Sequence, residues 1–488
     1  MKTLNGTVRP LILLVIVLFI QSCAVNPVTG KKELMLMSED QEARLGAQYD
    51  PQVIATFGEY KNDRLLSFLQ SQADEMGKIS HRPKVKYRVR LLDSPVVNAF
   101  AIPGGYIYFT RGILAHFNSE AELVGVLGHE MGHVAARHSA NQQSKQQLGQ
   151  LLLIGGMIAS EKFAQYAEYA MQGMQLLFLK FSRDDETEAD RLGVAYSSKV
   201  GFDAHKMADF FRVLERMNMA SGQGGVPTFL STHPNPADRF EKVHDQAEKW
   251  QDSLDYKNYK VNRDDYLAMI DGIVYGEDPR QGYVQGNVFY HPVMKFSFPI
   301  PAGWQFENQP TQVNMAPSDG RALMVFAIAQ GRNLQQAADN TLKQLNLKPQ
   351  ESKTASVNGM PALITLSQQS SQDQTTGQTQ NVLVMSEFIN YNNTIFVFHG
   401  VTAEADFNTY NPVFTSTMSD FSKLTDPSKL NVKPKTIQVR KIQNNGTLAD
   451  AFRQMGIPQQ QMQELAILNN LELNSQVQAG NPIKIIVQ

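Results

Sequence analysis

The chain has 488 residues, of which 42% are apolar and 19% charged, and a formal net charge of −2. That length exceeds one ordinary hydrophobic core and implies two to four domains, while the composition excludes a disordered chain. The near-neutral balance also lacks the basic footprint of a nucleic-acid binder.

In chain order, Lys2 and Arg9 form a short positive region around the start of an apolar run, Leu11 to Ile20. The run has the length of a signal-peptide core and is too short to span a bilayer, so residues 1–22 read as a lipoprotein signal peptide. Cys23, the one cysteine in the chain, follows in Ile20-Gln21-Ser22-Cys23. A small residue before a lone cysteine at this position is a lipobox pattern, with Gln21 a less usual choice inside it. Cys23 is therefore expected to be lipidated and to anchor the mature chain to a membrane, stably if it carries several acyl chains. No disulfide can form in the remainder.

Residues 23–37 read as a tether. A first folded domain, 38–275, is expected to be mainly helical with two strands. Val85 to Leu91 alternates apolar and basic residues, and Tyr106 to Thr110 is aromatic and β-branched. Between them Asn98-Ala99-Phe100-Ala101-Ile102-Pro103-Gly104-Gly105 must end in a turn. Leu148 to Ala159, about half a membrane span, reads as a buried helix or a flap over the site. Residues 276–425 read as an α+β sandwich, with strands at Lys295–Phe298, Leu323–Ala329, Ala362–Leu366, Val382–Ile389 and Thr394–Gly400. It also holds a helix at Asn333–Leu345 and a glutamine-rich loop at Gln369–Gln380. A linker, 426–435, leads to a βααβ module, 436–488. There Thr447-Leu448-Ala449-Asp450 caps one helix, Gly456 closes it, Pro458 opens the next, and Pro482–Val487 is the last strand. The fold class expected is thus multidomain: a mainly helical α+β domain, an α/β sandwich and a small βααβ module.

The chemistry concentrates in Ser119-Glu120-Ala121-Glu122-Leu123-Val124-Gly125-Val126-Leu127-Gly128-His129-Glu130-Met131-Gly132-His133. Ser119 and Glu122 read as a capping box that opens a helix. His129 and His133, four residues apart, share a face and can turn both imidazoles toward one ion. Glu130 is rotated a quarter turn away, where it can reach a metal-bound water without ligating the metal. Val124, Val126, Leu127 and Met131 make the helix apolar nearly all round, so unligated imidazoles would be left with unpaired nitrogens. A catalytic zinc needs a third protein ligand, and Ser182-Arg183-Asp184-Asp185-Glu186-Thr187-Glu188-Ala189-Asp190 supplies candidates. Glu186 and Asp190 share a helix face, so that one could ligate while the other orients a ligand histidine. Asp184, Asp185 and Glu188 read as a solvated helix start, and His138 as a residue that packs or meets a carboxylate.

These linked motifs resemble the zinc metallopeptidase family of HtpX and the CAAX-prenyl proteases, over roughly Cys23 to Trp250, and most of all its BepA-like periplasmic lipoprotein branch. The resemblance implies a gluzincin fold with one Zn2+ per chain, held by His129, His133 and Glu186. It implies Glu130 as base and Asp190 behind a ligand. Through Thr232-His233-Pro234-Asn235-Pro236-Ala237-Asp238-Arg239 it implies His233 as a fourth ligand in a latent state. Arg239 is then the residue that can meet substrate or transition-state charge. Asn98, Phe100, Ala101 and Tyr106 would lie on the strand that receives substrate, and Cys23-Ala24-Val25-Asn26-Pro27-Val28-Thr29-Gly30 looks like a lipoprotein start. The partners so implied are unfolded or misassembled envelope proteins in the periplasm, with the lipid anchor in the outer membrane. Tetratricopeptide repeats, frequent in that branch, are not evident here. The middle segment weakly resembles a PsbP-type sandwich. The terminal module resembles LysM, which would give it peptidoglycan or a protein as partner, although Phe452 is its only aromatic. The rival readings are a latent-site chaperone or scaffold and a peptidoglycan hydrolase.

Overall fold

The computed structural model describes residues 23–144, 181–220, 228–233, 239–254, 258–372 and 379–488. The signal peptide, the Leu148–Ala159 run and Pro234 to Asp238 lie outside them.

The chain opens with a hairpin, β1 (Cys23–Val25) against β2 (Lys32–Leu34). The Asn26 side chain accepts from Val28 N at 2.8 Å and Thr29 N at 3.3 Å, and Gly30 closes the turn at φ +70°. Residues 23–34 are therefore folded structure, contrary to the tether expected there: Asn26, 1% exposed, is buried in the body of the protein. Next come α1 (Glu39–Phe57), opened by a Ser38–Gln41 capping box, and α2 (Asp63–Ile79).

A three-stranded sheet follows: β3 (Arg88–Leu92), β4 (Ala99–Ile102) and β5 (Tyr106–Thr110). Its order is β3-β5-β4, with β3 parallel and β4 antiparallel to the central β5. The first strand starts at Arg88, three residues later than its alternation suggests. The Gly104–Gly105 turn passes over Val85 and Lys86, and Gly105 O takes up Arg88 N at 2.8 Å. Both faces of the sheet are covered. Phe100, Ile102, Tyr106 and Tyr108 pack under α1, and Ala99, Ala101, Ile107 and Phe109 face the main core.

The helical layer comprises α3 (Arg111–His116), α4 (Glu120–Ala136), α5 (Arg183–Lys199), α6 (His205–Ala220), α7 (Thr228–Thr232), α8 (Arg239–Ser253) and α9 (Arg263–Ile270). Every residue of α4 is buried. It lies against α5 through small residues: a Cβ on Gly128 would stand 3.0 Å from Gly193 O, and one on Gly132 3.1 Å from Ala189 Cα. Only glycines allow so close an approach.

The sandwich has a small sheet, β6 (Tyr283–Gln285), β7 (Val288–His291), β8 (Phe296–Pro299) and, from further on, β16 (Ser422–Lys423). The large sheet is built from β9 (Trp304–Asn308), β10 (Gln312–Pro317), β11 (Ala322–Ile328), β12 (Lys348–Val357), β13 (Met360–Gln372), β14 (Thr379–Tyr391) and β15 (Thr394–Ala403). Its order is β12-β13-β14-β15-β11-β10-β9, antiparallel throughout. Phe289, Phe296 and Phe298 of the small sheet pack on Phe326, Phe396 and Phe398 of the large one. Helix α10 (Leu334–Gln344) covers the opposite face through Ala337 and Ala338. Helix α11 (Phe407–Ser419) lays Phe414 over Gly400. The glutamine-rich segment is strand rather than loop as far as Gln372, which pairs with Thr379.

After the short α12 (Pro427–Leu430), the terminal module runs β17 (Thr436–Lys441), β18 (Gly446–Thr447), α13 (Leu448–Gln454), α14 (Gln459–Leu468), β19 (Gln476–Val477) and β20 (Pro482–Val487). The Thr447–Asp450 capping box forms, and Gly456 takes φ +74° after the first helix. The module packs on the first domain. Ile437, Leu448, Phe452, Leu465 and Ile483 share one apolar core with that domain, and across the junction Gly272 N donates to Ile437 O and Ile437 N to Ile273 O. Among the described residues no helix is long and apolar enough to cross a membrane.

Candidate metal centre

Helix α4 delivers His129, Glu130 and His133, α5 delivers Glu186 and Asp190, and the turn after α7 delivers His233. The α4 cap differs slightly from a reciprocal box. Ser119 Oγ accepts from Glu122 N at 3.2 Å, but Glu122 Oε2 accepts from Asn118 N, one residue early, at 2.7 Å. On α5 the box is complete, with Ser182 and Asp185 exchanging both bonds.

Four donor groups converge. His129 Nε2 lies 3.0 Å from His133 Nε2, 3.3 Å from His233 Nδ1 and 3.7 Å from Glu186 Oε2. Glu186 Oε1 lies 3.4 Å from His133 Nε2 and 2.9 Å from His233 Nδ1. A tetrahedral ion with bonds of about 2.0–2.1 Å has donor-to-donor edges of about 3.3 Å, and these separations scatter around that value. The tautomers point the same way. His129 Nδ1 faces the Asp190 carboxylate at 2.9 Å, so it carries the ring proton and leaves Nε2 a lone pair. A lone pair facing another imidazole nitrogen and a carboxylate is repulsive unless a cation lies among them. All four residues are at most 1% exposed. The donor set of three imidazoles and one carboxylate therefore fits a zinc-like ion.

Burial holds the His133 imidazole well below its usual range. Burial also opposes charge on Glu186, but His233 and Arg239 outweigh it and keep that carboxyl well below the normal value. For Asp190 burial is likewise outweighed, here by Arg239 and His129. Glu130 is different. Burial raises it, and among the described residues neither carboxylate oxygen has a hydrogen-bond partner. The nearest approach is His233 Nε2 at 3.7 Å. A buried carboxylate left without donors costs several kcal/mol, and here it stands beside the metal-ligand set.

Residues 63–247 match the model of peptidase family M48. This stretch is an M48 domain. The chain is similar to the beta-barrel assembly-enhancing protease of Escherichia coli (strain K12), 26% identical over 260 residues, 51% of this chain and 52% of that one. It is also similar to metalloendopeptidase OMA1, mitochondrial, of Homo sapiens, 26% identical over 252 residues, 47% of each chain. The chain thus spans about half the length of these relatives. Among solved structures, cyanobacterial PsbP from Synechocystis sp. PCC 6803 aligns with 29% of this chain and 98% of its own. Its identity is 11% and its TM-score 0.23, a score from which no shared fold follows.

In the M48 domain the structure brings His129, Glu130, His133, Glu186, Asp190, His233 and Arg239 together. Arg239 sits otherwise than expected. It is 2% exposed and turned inward, with Nε and Nη2 on Asp190 at 2.8 and 2.7 Å and Nη2 also 3.1 Å from Glu186. It therefore orients the acidic groups rather than facing substrate. The strand residues also differ. Asn98, Phe100, Ala101 and Tyr106 are 5–7% exposed, and Tyr106 lies on the central strand, whose two edges are both paired. Among the described residues the outer edge of β4 has no strand beside it. Its faces are buried because α1 covers one side and α4 the other, so side chains there cannot read a substrate.

Glu188 was assigned to solvent on sequence grounds, yet it holds His138. His133 Nδ1 meets His138 Nδ1 at 2.9 Å, His138 Nε2 meets Glu188 Oε2 at 3.2 Å, and Asn26 Nδ2 reaches the same oxygen at 3.4 Å. The expectation that His138 meets a carboxylate agrees with this. Phe181 stacks on His133 at 4.1 Å and Phe229 on His233 at 4.5 Å, and neither was anticipated. Nothing local in the sequence marks them, because each reaches the site from a separate element.

Proposed function

We propose that this chain is a zinc-dependent endopeptidase that hydrolyses peptide bonds in unfolded or misassembled envelope proteins. The observation that carries the reading is the four-donor cluster with, beside it, a buried Glu130 that has no hydrogen-bond partner among the described residues. Ligation is assigned to His129, His133 and Glu186. Bound zinc supplies a water of lowered pKa and polarises the scissile carbonyl. Glu130 accepts the proton of the attacking water and passes it to the leaving amine, its carboxylate standing beside the donor cluster. Asp190 fixes the His129 tautomer, and Arg239 holds Asp190 and Glu186 in register. His233, at hydrogen-bond distance from Glu186, is assigned to a resting state in which its ring takes the position substrate needs. The outer edge of β4, at Ala99–Ile102, is the place where an extended substrate can add as a strand, read through its backbone.

Lipid anchoring at Cys23 and a periplasmic location at the outer membrane belong to the same proposal, on the strength of the lipobox and the absence of other cysteines. The alternative, a latent-site scaffold, is disfavoured by the intact donor set. Metal analysis together with digestion of denatured casein, for the native chain and Glu130→Gln, tests the reading. Expected are about one zinc per chain in both proteins and turnover in the native chain alone. Equal cleavage by Glu130→Gln removes Glu130 from the mechanism, and cleavage of purified peptidoglycan instead of casein overturns the substrate class.

A further inference from the structure

A buried amine costs free energy unless its donors are used, and Lys484 in β20 is 0% exposed, where burial holds it well below the usual lysine range. Its Nζ reaches out of the terminal module into the M48 domain, donating to Ala115 O at 2.9 Å and Phe117 O at 2.8 Å. These carbonyls lie at the end of α3 and immediately before the Ser119 cap of α4. The lysine is itself held on both sides: its N–H donates to Asn469 Oδ1 and its carbonyl accepts from Asn469 Nδ2, each at 2.8 Å. The same short stretch is gripped a second time, where Asn118 Nδ2 donates to Leu468 O at 3.2 Å. Glu122 in the first turn of α4, whose charge acts on Lys484, has its own Oε2 engaged by Asn118 N.

The placement matters because of how α4 packs. Its contact with α5 runs over Gly125, Gly128 and Gly132 on one side and Ala189 and Gly193 on the other. Such a contact brings the backbones close but offers few side-chain ridges to resist sliding along the axis. Beyond the core packing of its apolar side chains, α4 is held at both ends by polar contacts. At the C-terminal end Arg137 bonds Met37 O at 2.6 Å and Glu42 at 2.5 Å. At the N-terminal end Asn262 and Arg263 of the first domain bond Glu120 at 2.6 Å and Asn118 O at 3.3 Å, and the terminal module adds its own grip on Ala115, Phe117 and Asn118.

We propose that the terminal βααβ module is a built-in positioning element of the metal helix and that Lys484 is its positioning residue, holding the residue 115–119 turn that sets where His129, Glu130 and His133 stand. The proposal rests on the endopeptidase reading above. It differs from the expectation that the module serves chiefly to bind glycan or a separate protein.

The test uses the full-length, zinc-loaded protein. In Lys484→Met zinc stays near one per chain and KM within about twofold, while kcat falls about tenfold or more, since a displacement of about 1 Å in a catalytic group can cost a hundredfold. Amides of residues 119–125 exchange faster in this variant, a readout that needs no activity. Lys484→Arg, which keeps N–H donors for the two carbonyls, recovers part of kcat. Arg216→Met cuts another contact of the same interface, Arg216 Nη2 to Leu471 O at 2.8 Å, and leaves kcat unchanged. If Lys484→Met does not fold, Asn469→Ala frees the lysine backbone and is expected to lower kcat about threefold. An unchanged kcat with unchanged exchange in whichever variant folds, or equal losses in Lys484→Met and Arg216→Met, overturns the proposal. Failure of the native, zinc-loaded chain to cleave denatured casein would instead overturn the endopeptidase reading and leave the exchange result standing.

Discussion

Replacing Gly193 by alanine sets two well-known effects against each other. In a helix interior glycine is about 0.8–1.0 kcal/mol worse than alanine, so propensity alone makes Gly193→Ala stabilising. The packing argues the reverse. The new Cβ would stand 2.9 Å from His129 N, 3.1 Å from Gly125 O and 3.1 Å from Met207 Sδ. The methionine can turn aside, but the two backbone atoms belong to α4 and can only retreat with the helix. Overpacking costs about 1–3 kcal/mol, and contacts with backbone belong at the upper end, which leaves a net loss of about 2 kcal/mol. For a domain of this size that is a fall of about 4–8 °C in melting temperature. Because α4 carries the histidines and α5 carries Glu186, the same separation should weaken zinc binding by about tenfold, at the low end of what disturbing an outer-shell partner does. Thermal unfolding by circular dichroism, with and without chelator, and zinc competition measure the two effects. A melting temperature that rises by the propensity gain, with native zinc affinity, would refute the close-packing argument.

Glu186→Ala should lose more zinc affinity than Asp190→Ala, for which about ten- to hundredfold is expected; equal affinity in both, by competition titration, would move the third ligand elsewhere. His233→Ala should raise casein hydrolysis at fixed zinc occupancy if the ring blocks the substrate position, whereas a hundred- to thousandfold loss would make it an oxyanion donor instead. Burial pushes the Glu387 carboxyl in the sandwich up to about 7. The folded protein therefore binds that proton more tightly than the unfolded chain, and stability declines as pH rises from about 4.5 through 7. Glu387→Gln should stabilise by about 1–2 kcal/mol at pH 8, allowing for partial solvation, and by little at pH 4. Melts at the two pH values check this, and an equal gain at both would show that the carboxyl is not raised.

What could be read from the sequence was what sits on one element. His129, Glu130 and His133 follow from helix geometry, and Glu186 with Asp190 from a four-residue spacing on a second helix. The terminal module's Thr447 cap, Gly456 stop and Pro482–Val487 strand were legible for the same reason: caps and strand periods are local. Interactions between distant segments were not. Asn26 meets Glu188 across 162 positions and Lys484 meets Phe117 across 367, and no local pattern marks either end. Trp304–Asn308 and Lys348–Val357 were passed over because they are the two edges of the large sheet. Most of their residues face solvent, so the apolar alternation that reveals a strand is absent. The burial of Phe100 and Tyr106 was missed because an unbroken apolar strand reads the same whether it is exposed to substrate or covered on both faces.

These long-range contacts have a consequence for how the enzyme would work at a membrane. The metal helix is held at its N-terminal end by the last strand of the chain and at its C-terminal end by the first residues described. Leu36 N bonds Ser144 Oγ at 3.0 Å, and Asn141 Nδ2 bonds Glu33 at 3.2 Å. Asn26, three residues after Cys23, closes the series through Glu188 and His138 to His133. If Cys23 carries the lipid proposed above, the anchor is attached to a hairpin already bolted to the outer shell of a metal ligand. A flexible tether would let the site sample substrate far from the bilayer. This one has no slack between Cys23 and Asn26 beyond about 10 Å of extended strand. Anchor and site then move as one body, and the substrates within reach are those presented at the membrane surface. That agrees with misassembled envelope proteins better than with free peptides, and it separates the reading from a scaffold whose working modules hang at the far end of the chain.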